Sequence, residues 1–384
     1  MRLFLTVALL LSTAVPTSHV DAQDLAQPSI DTQPIDVSAR QSPWGRSDID
    51  ASRRDRVYVA GSSSTSISVV GPSNNMFLGV IPLDIGNEKP ASSSGMPASY
   101  SPVLSYAPND SILTVVSGST GAVSFIDTRS NTVVHTARFD GTPASAAYAP
   151  NGKEVWVPVK GGKYVSILNA KGFAEVGRIS TPGEPGMAIF SNNGRYAYVC
   201  SGTGDRTAVF DVKTRKVVGS VPEGGPSCPG IAASPDGKQI WLTSTHPGRA
   251  VAFSAKPPFE VLKVIETGPR TGNVNFVSND DGQFAYVPVG GLNAVKVFDT
   301  RRFDLVSTIP VGASPRSVWP SGDGTKVYVA LDSAEALSVI DAGTMKMVDV
   351  VKIGQTARSV AYVPYAARSH QGDENLRPAI DDGS

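Results

Sequence analysis

The chain has 384 residues with 34 basic and 34 acidic side chains, so its formal net charge is zero. Binding to nucleic acid generally depends on a basic stripe and a high isoelectric point, and this charge balance argues against that function. It equally gives no support to an intrinsic membrane-surface role.

The N-terminus predicts a secretory signal peptide at residues 1–22. Arg2 precedes an apolar run at 3–15, and the segment 20–22 fits a small-residue cleavage site. The apolar run is too short to span a bilayer, although a retained single anchor stays as the alternative. We therefore expect an exported protein, periplasmic or secreted, whose polar residues 23–54 form a flexible leader.

An internal repeat of about 42 residues follows, and each copy contains a turn between two apolar runs. Successive turns are 42, 42, 43, 45 and 42 residues apart, a period typical of solenoids, propellers or arrays. Asn-Gly and Asp-Gly favour positive φ at both central positions and predict tight hairpins. The turns are Asn109-Asp110, Asn151-Gly152, Asn193-Gly194, Asp236-Gly237, Asp281-Gly282 and Asp323-Gly324.

Each copy carries four runs of strand length, rich in Val, Ile and aromatic residues. The second run is apolar on both faces, which requires cover on both faces, as between the blades of a propeller. An aromatic residue recurs there, which we interpret as packing between blades and not as cofactor stacking. The series is Tyr58, Trp156, Tyr198, Trp241, Tyr286 and Tyr328, and Thr114 interrupts it.

The repeat count predicts an all-β fold, a seven-bladed propeller of four-stranded antiparallel blades at residues 55–366. Segment 56–83 supplies three strands of blade 1, and 357–363 supplies its innermost strand, so the two ends close the ring and remove open sheet edges. An insertion at 85–100 separates blades 1 and 2. Residues 367–384 are predicted to be a disordered tail. Blades 2 to 7 begin near Ser101, Pro143, Pro185, Cys228, Asn273 and Pro315.

The repeat resembles the YVTN family of propeller proteins over most of the chain. The resemblance implies a seven-bladed ring, but no single activity, because such propellers serve as binding modules, surface proteins and occasional enzymes. The motifs that carry it are Ser234-Pro235-Asp236-Gly237, Tyr58-Val59-Ala60, Tyr328-Val329-Ala330, Val339-Ile340-Asp341, Val297-Phe298-Asp299-Thr300 and Ile309-Pro310-Val311-Gly312.

The two cysteines fall at neighbouring points of the predicted ring. Cys200 ends the second strand of blade 4, and Cys228 begins the first strand of blade 5. These strand ends meet on one face, which makes a disulfide plausible, with two free thiols as the alternative. The bond would stabilise the fold by roughly 3 kcal/mol in the chain-entropy model.

Three arginines are predicted to line one arc of the channel mouth. Arg316 and Arg358 are one period apart, and Arg270 falls on the preceding blade. Guanidinium groups suit bidentate capture of a carboxylate or phosphate. The alternative is that each arginine caps a local carbonyl or pairs with a loop acid such as Asp332.

Catalytic groups are sparse. The best candidates are His246 with Asp205, Arg206 or Glu335 as polar partners. No cluster has metal-ligand spacing, so we expect neither a metal nor a cofactor. The favoured hypothesis is a monomeric, non-catalytic exported module that binds a protein partner or a small anionic ligand on its channel face.

Two alternatives stay open at this stage. Some related propellers act on lactones or lactone-like rings, which implies a lactonase- or lyase-type enzyme using His246. The second alternative is a d1-type haem-binding redox accessory, similar to the propeller domain that holds this haem in nitrite reductases, with His246 as the sole plausible axial ligand. The chain has no Cys-x-x-Cys-His motif for covalent haem.

Overall fold

The structure, a computed structural model, describes residues 54–62, 65–83, 102–109, 111–367 and 372–378. The predicted signal peptide at 1–22, nearly all of the leader at 23–54 and the insertion at 85–100 lie outside these residues. Among the described residues, no helix is long and apolar enough to cross a membrane.

The described residues form seven sheets, which are the predicted blades. In chain order, blade 1 contributes β1 (Arg56–Ala60), β2 (Ser66–Gly71) and β3 (Met76–Pro82). Blade 2 contains β4 (Val103–Tyr106), β5 (Ile112–Ser117), β6 (Ala122–Asp127) and β7 (Thr132–Arg138). Blade 3 contains β8 (Thr142–Pro143), β9 (Ala147–Tyr148), β10 (Glu154–Lys160), β11 (Tyr164–Asn169) and β12 (Glu175–Ser180).

The remaining blades repeat the same meander. Blade 4 contains β13 (Pro185–Phe190), β14 (Tyr196–Ser201), β15 (Arg206–Asp211) and β16 (Lys216–Pro222). Blade 5 contains β17 (Gly230–Ala233), β18 (Gln239–Ser244), β19 (Arg249–Ser254) and β20 (Val261–Glu266). Blade 6 contains β21 (Asn275–Asn279), β22 (Gly282–Val289), β23 (Ala294–Asp299) and β24 (Leu305–Pro310). Blade 7 contains β25 (Pro315–Pro320), β26 (Lys326–Leu331), β27 (Ala336–Asp341) and β28 (Lys346–Lys352), and the last strand is β29 (Ser359–Val363).

Ring closure occurs in blade 1, as the split repeat predicts. Its strand order is β29-β1-β2-β3, so the innermost strand comes from the C-terminal end of the array. β29 pairs with β1 in antiparallel register, from Arg56 opposite Val363 to Ala60 opposite Ser359. Together with the other six sheets this confirms the seven-bladed β-propeller.

The core lies between blades, around the second strand of each. The six aromatic residues of the sequence series are at most 1% exposed, which agrees with packing between blades. In blade 2 the hydroxyl of Thr114 replaces the aromatic ring and hydrogen-bonds the Tyr148 hydroxyl of blade 3 at 2.6 Å. Outer strands such as β28 face solvent along most of their length, because each is the edge strand of its blade and pairs with a neighbour on one side only.

The repeat turns differ in one detail from the sequence expectation. Gly237 has φ of +67°, but the preceding Asp236 is not in the left-handed region. The Gly237 N–H donates to the Ser234 carbonyl at 2.8 Å, which is the hydrogen bond of a type I turn. The Asp236 side chain accepts from the Lys238 N–H at 3.0 Å. In this turn, Gly237 therefore supplies the positive φ and the Asp236 side chain supplies a hydrogen-bond acceptor.

The segment 372–378 belongs to the part of the chain assigned from sequence to the tail. Arg377 exchanges two backbone hydrogen bonds with Val80 of β3, at 2.8 and 2.9 Å. The Asp373 carboxylate accepts from the buried Arg56 guanidinium at 3.0 Å through both oxygens. We call residues 372–378 the C-terminal clasp, because it covers the outer edge of the closing blade.

Candidate functional site

One cavity runs through the centre of the ring. Residues from the innermost strands of all seven blades line it, and its volume is about 860 Å³. Small-molecule sites usually measure about 300–1,000 Å³, so the cavity is large enough for an organic ligand.

The two ends of this channel have different chemistry. All innermost strands run in the same direction, because each begins its meander at one end of the channel. At that end lie Lys160, Arg316 and Arg358, which define the basic mouth. At the other end lie Tyr106, Tyr148 and Trp319, which define the aromatic mouth.

Two arginines of the basic mouth share one carboxylate. The Arg358 Nε donates to Asp332 Oδ1 at 2.7 Å, and an Arg316 terminal nitrogen lies 3.8 Å from Asp332 Oδ2. Asp332 follows β26 of blade 7 and its side chain is 13% exposed. The pairing with a loop acid that the sequence analysis kept as an alternative is therefore present, but one carboxylate offsets only one of the two positive charges.

The third predicted arginine stands beside this pair and outside the cavity lining. Arg270 is exposed and its guanidinium donates to the Ser314 hydroxyl at 2.7 Å. Burial lowers the pKa of Arg316, and the charges of Arg358 and Arg270 lower it further, while Asp332 opposes the shift. Arg316 therefore lies within electrostatic range of both other guanidiniums.

Lys160 supplies a positive charge from the opposite side of the ring. It ends β10, and it is paired in the sheet with Thr142 at the start of the blade 3 inner strand. A Cβ on Gly202 would lie 2.9 Å from its side chain, so the missing side chain of Gly202 leaves room for the lysine. Burial lowers the pKa of Lys160, and the nearby Glu184 opposes that shift.

The aromatic mouth was not predicted from the sequence. The rings of Tyr106 in blade 2 and Trp319 in blade 7 have centroids 5.9 Å apart at 51°. Blade 1 lies between these two blades, so this ring contact joins two blades that are not neighbours. The signal that could have revealed the mouth is an aromatic residue near the end of several innermost strands.

The four weak catalytic candidates lie outside the cavity lining. Asp205 and Arg206 belong to blade 4, His246 to the loop after β18 in blade 5, and Glu335 to blade 7. His246 is exposed. Among the described residues, no group of three or more His, Cys, Asp or Glu could hold a metal ion. A role for these residues in catalysis stays a prediction.

The predicted disulfide joins blades 4 and 5. Cys200 and Cys228 are bonded with their Cα atoms 6.4 Å apart, and Cys228 lines the channel. Next to the bond, the fully buried Glu223 accepts from the Ser201 N–H at 2.6 Å through Oε1.

Glu223 is a buried acid that the sequence analysis missed. Its Oε1 also accepts from the Thr207 hydroxyl at 3.0 Å, whereas Oε2 has no hydrogen-bond partner among the described residues. Burial raises the pKa of Glu223 to about 7, the bonds from Ser201 and Thr207 oppose the shift, and Asp205 adds to it.

Comparison with known proteins agrees with the class that the fold defines, a seven-bladed β-propeller. No protein-family model matches the chain, and no curated protein sequence matches it. A structure of hydrazine synthase from Kuenenia stuttgartiensis matches with 17% identity and a TM-score of 0.59, covering 76% of this chain and 94% of that chain. A protein of unknown function from Desulfotomaculum acetoxidans DSM 771 matches with 16% identity and a TM-score of 0.65, covering 81% and 99%. At these identities the likeness shows the fold alone.

Proposed function

We propose that this protein is a non-catalytic binding module that captures a small anion at the basic mouth. The proposal rests on the charge of the channel lining. Among the described residues, the charged side chains that line the channel are Lys160, Arg316 and Arg358, and all three are cationic. The whole chain has zero net charge. The positive lining therefore reflects the placement of particular residues and not a general excess of basic ones.

The electrostatics favour an anion over a neutral ligand. Arg316 is half-buried and stands near two other guanidiniums, with one shared carboxylate to offset them. A carboxylate or phosphate entering this arc would relieve the repulsion and accept charge-assisted hydrogen bonds. Lys160, on the opposite side, would add attraction for an anion anywhere across the mouth.

Family and location form part of the proposal. The repeated motifs support placing the protein among YVTN-type propellers. The Cys200–Cys228 disulfide supports export, because such bonds persist mainly in oxidising compartments. A signal peptide at 1–22 and a leader at 23–54 would provide the route.

The test measures the affinity for inorganic phosphate and for citrate by isothermal titration calorimetry. Arg316→Ala and Arg358→Ala should each weaken binding by roughly 10- to 150-fold, the loss expected for one charge-assisted contact. Asp332→Asn should tighten binding, because it releases both guanidiniums from their shared partner.

The matched control is Lys153→Ala. Lys153 is an exposed cation just after the turn at the other end of blade 3, so its removal should leave the affinity unchanged. Equal affinity of the wild type and the double arginine variant would overturn the proposed anion site.

A further inference from the structure

The two mouths of the channel are separated by a distance that one small molecule can span. Arg316 and Trp319 lie three residues apart on β25, and both line the cavity. At about 3.3 Å per residue, their backbone positions are about 10 Å apart. A ligand held at the basic mouth can therefore reach the aromatic mouth within the same cavity.

The wall between the mouths is uncharged, and several of its polar groups are already paired. The Ser317 hydroxyl accepts from the Val360 N–H at 3.4 Å, and the Ser359 hydroxyl accepts from the Leu104 N–H at 3.3 Å. The neighbouring wall positions carry small side chains or none, namely Ala144, Gly186, Ala188, Gly230 and Ala232. These small positions leave room for a flat body between the two mouths.

The aromatic mouth offers a surface on which a flat ring can stack. Trp319 and Tyr106 are both partly exposed, both line the cavity, and their rings meet at an angle. Aromatic side chains gain most from burying other flat apolar groups, through offset or edge-to-face contacts.

We infer that the channel binds a flat aromatic anion, with its carboxylate or other anionic group at Arg316 and Arg358 and its ring system at Trp319 and Tyr106. The inference rests on the proposed anion site and adds the chemical class of the molecule that carries the charge. An anion without a ring would use only the basic mouth.

Three probes separate these contributions: biphenyl-4-carboxylate, acetate and the neutral biphenyl-4-carboxamide. Calorimetry should find the aromatic carboxylate bound at least about tenfold more tightly than acetate, because its rings bury apolar surface. The carboxamide should bind more weakly than the carboxylate. Trp319→Ala should remove most of the aromatic advantage and leave acetate binding within about twofold of wild type.

The control variant is Tyr365→Ala, which removes an exposed aromatic ring outside the cavity lining and should change neither affinity. Because Trp319 also packs between blades, Trp319→Ala could unfold the protein. Two further measurements then decide: Tyr106→Leu should reduce the aromatic advantage, and wild-type protein should show nuclear Overhauser effects between the biphenyl protons and the Trp319 indole.

The outcomes distinguish the inference from the proposed function. If phosphate and acetate bind but biphenyl-4-carboxylate binds no more tightly than acetate, the aromatic part is wrong and the anion site stands. If the carboxamide binds as well as the carboxylate, the placement of the charge at the arginines is wrong. If none of these anions binds, both are wrong.

Discussion

Two joints of the ring are held in different ways. Between blades 4 and 5, a disulfide connects Cys200 and Cys228, which are 28 residues apart. In blade 1, the joint connects the two ends of the array through the five residue pairs between β1 and β29. The closing joint also has the C-terminal clasp on its outer edge, so both edges of blade 1 depend on residues near the C-terminus.

The difference teaches that sequence distance is a small part of the cost of closing the ring. Loop-closure entropy grows only with the logarithm of length, so joining residues about 300 apart costs only about 2 kcal/mol more than joining residues 28 apart. A strand with five paired residues and a buried face readily offsets that difference. The closing joint therefore needs no covalent bond.

The largest expected effect comes from removing the closing strand. A chain truncated after Gly354 lacks β29 and the clasp, and leaves β1 with an open edge and an uncovered core. We expect an insoluble or extensively destabilised protein, measured by soluble yield and by thermal melting followed with circular dichroism. A truncated protein that melts like the full chain would contradict closure through β29.

The disulfide joint should give the next largest effect. Replacing both Cys200 and Cys228 by alanine should lower the free energy of unfolding by between about 3 and 4 kcal/mol in the chain-entropy model. Urea denaturation measures this change. Mass spectrometry of a non-reduced digest provides the independent check, and finding both thiols free in protein purified without reductant would refute the disulfide.

The same joint should respond to pH through Glu223. The pKa of Glu223 is raised from 4.5 to about 7, so the folded state binds its proton more tightly than the unfolded state. Its contribution to stability is full below pH 4.5 and is lost as the pH rises through about 7. The loss amounts to at most about 3 kcal/mol.

Glu223→Gln isolates this effect, because the amide stays neutral throughout. The variant should match wild type in acid and exceed its unfolding free energy above neutral pH, measured by urea denaturation at several pH values. Glu260→Gln, which changes an exposed acid, should keep the wild-type profile. Parallel profiles for Glu223→Gln and wild type would disprove the assignment.

The smallest effect should come from the clasp alone. Asp373→Ala leaves the buried Arg56 guanidinium without this carboxylate, but Asp373 is 27% exposed, which reduces the loss to about 2 kcal/mol. A lower melting temperature in this variant, which keeps β29, would show that the clasp adds to stability independently of the closing strand. Asp304→Ala, at an exposed ion pair in blade 6, should not change it. An unchanged melting temperature in Asp373→Ala would mean that β29 alone secures the joint.

The repeat made most of the fold predictable. Strand runs, turn residues and the buried aromatic series recur in phase, so each blade can be assigned from about 42 residues of local pattern. Thr114 was noted as an exception, but its reason was visible only in space, where it bonds Tyr148 of the next blade. Hydrogen bonds between blades leave no periodic mark in the sequence.

The candidate site was predictable only in part. Arg316 and Arg358 could be placed together because they occupy one repeat position on adjacent blades. Lys160 could not be assigned to the cavity from the sequence, because its entry depends on the space that Gly202 leaves. Trp319 and Tyr106 come from blades that are not neighbours, and no local pattern indicates their contact.

The sequence by itself determined the number of blades, the order of their strands and the closure by both ends, and it placed the two cysteines at neighbouring strand ends. These follow from hydrophobic periodicity, turn chemistry and the fixed geometry of a meander, which act over a few residues at a time. Only the tertiary structure decided which charges line the channel, that Asp332 pairs with both Arg316 and Arg358, that Glu223 is buried, and where the C-terminal clasp packs. These depend on side-chain direction and on contacts between distant segments, which become defined only when the ring closes.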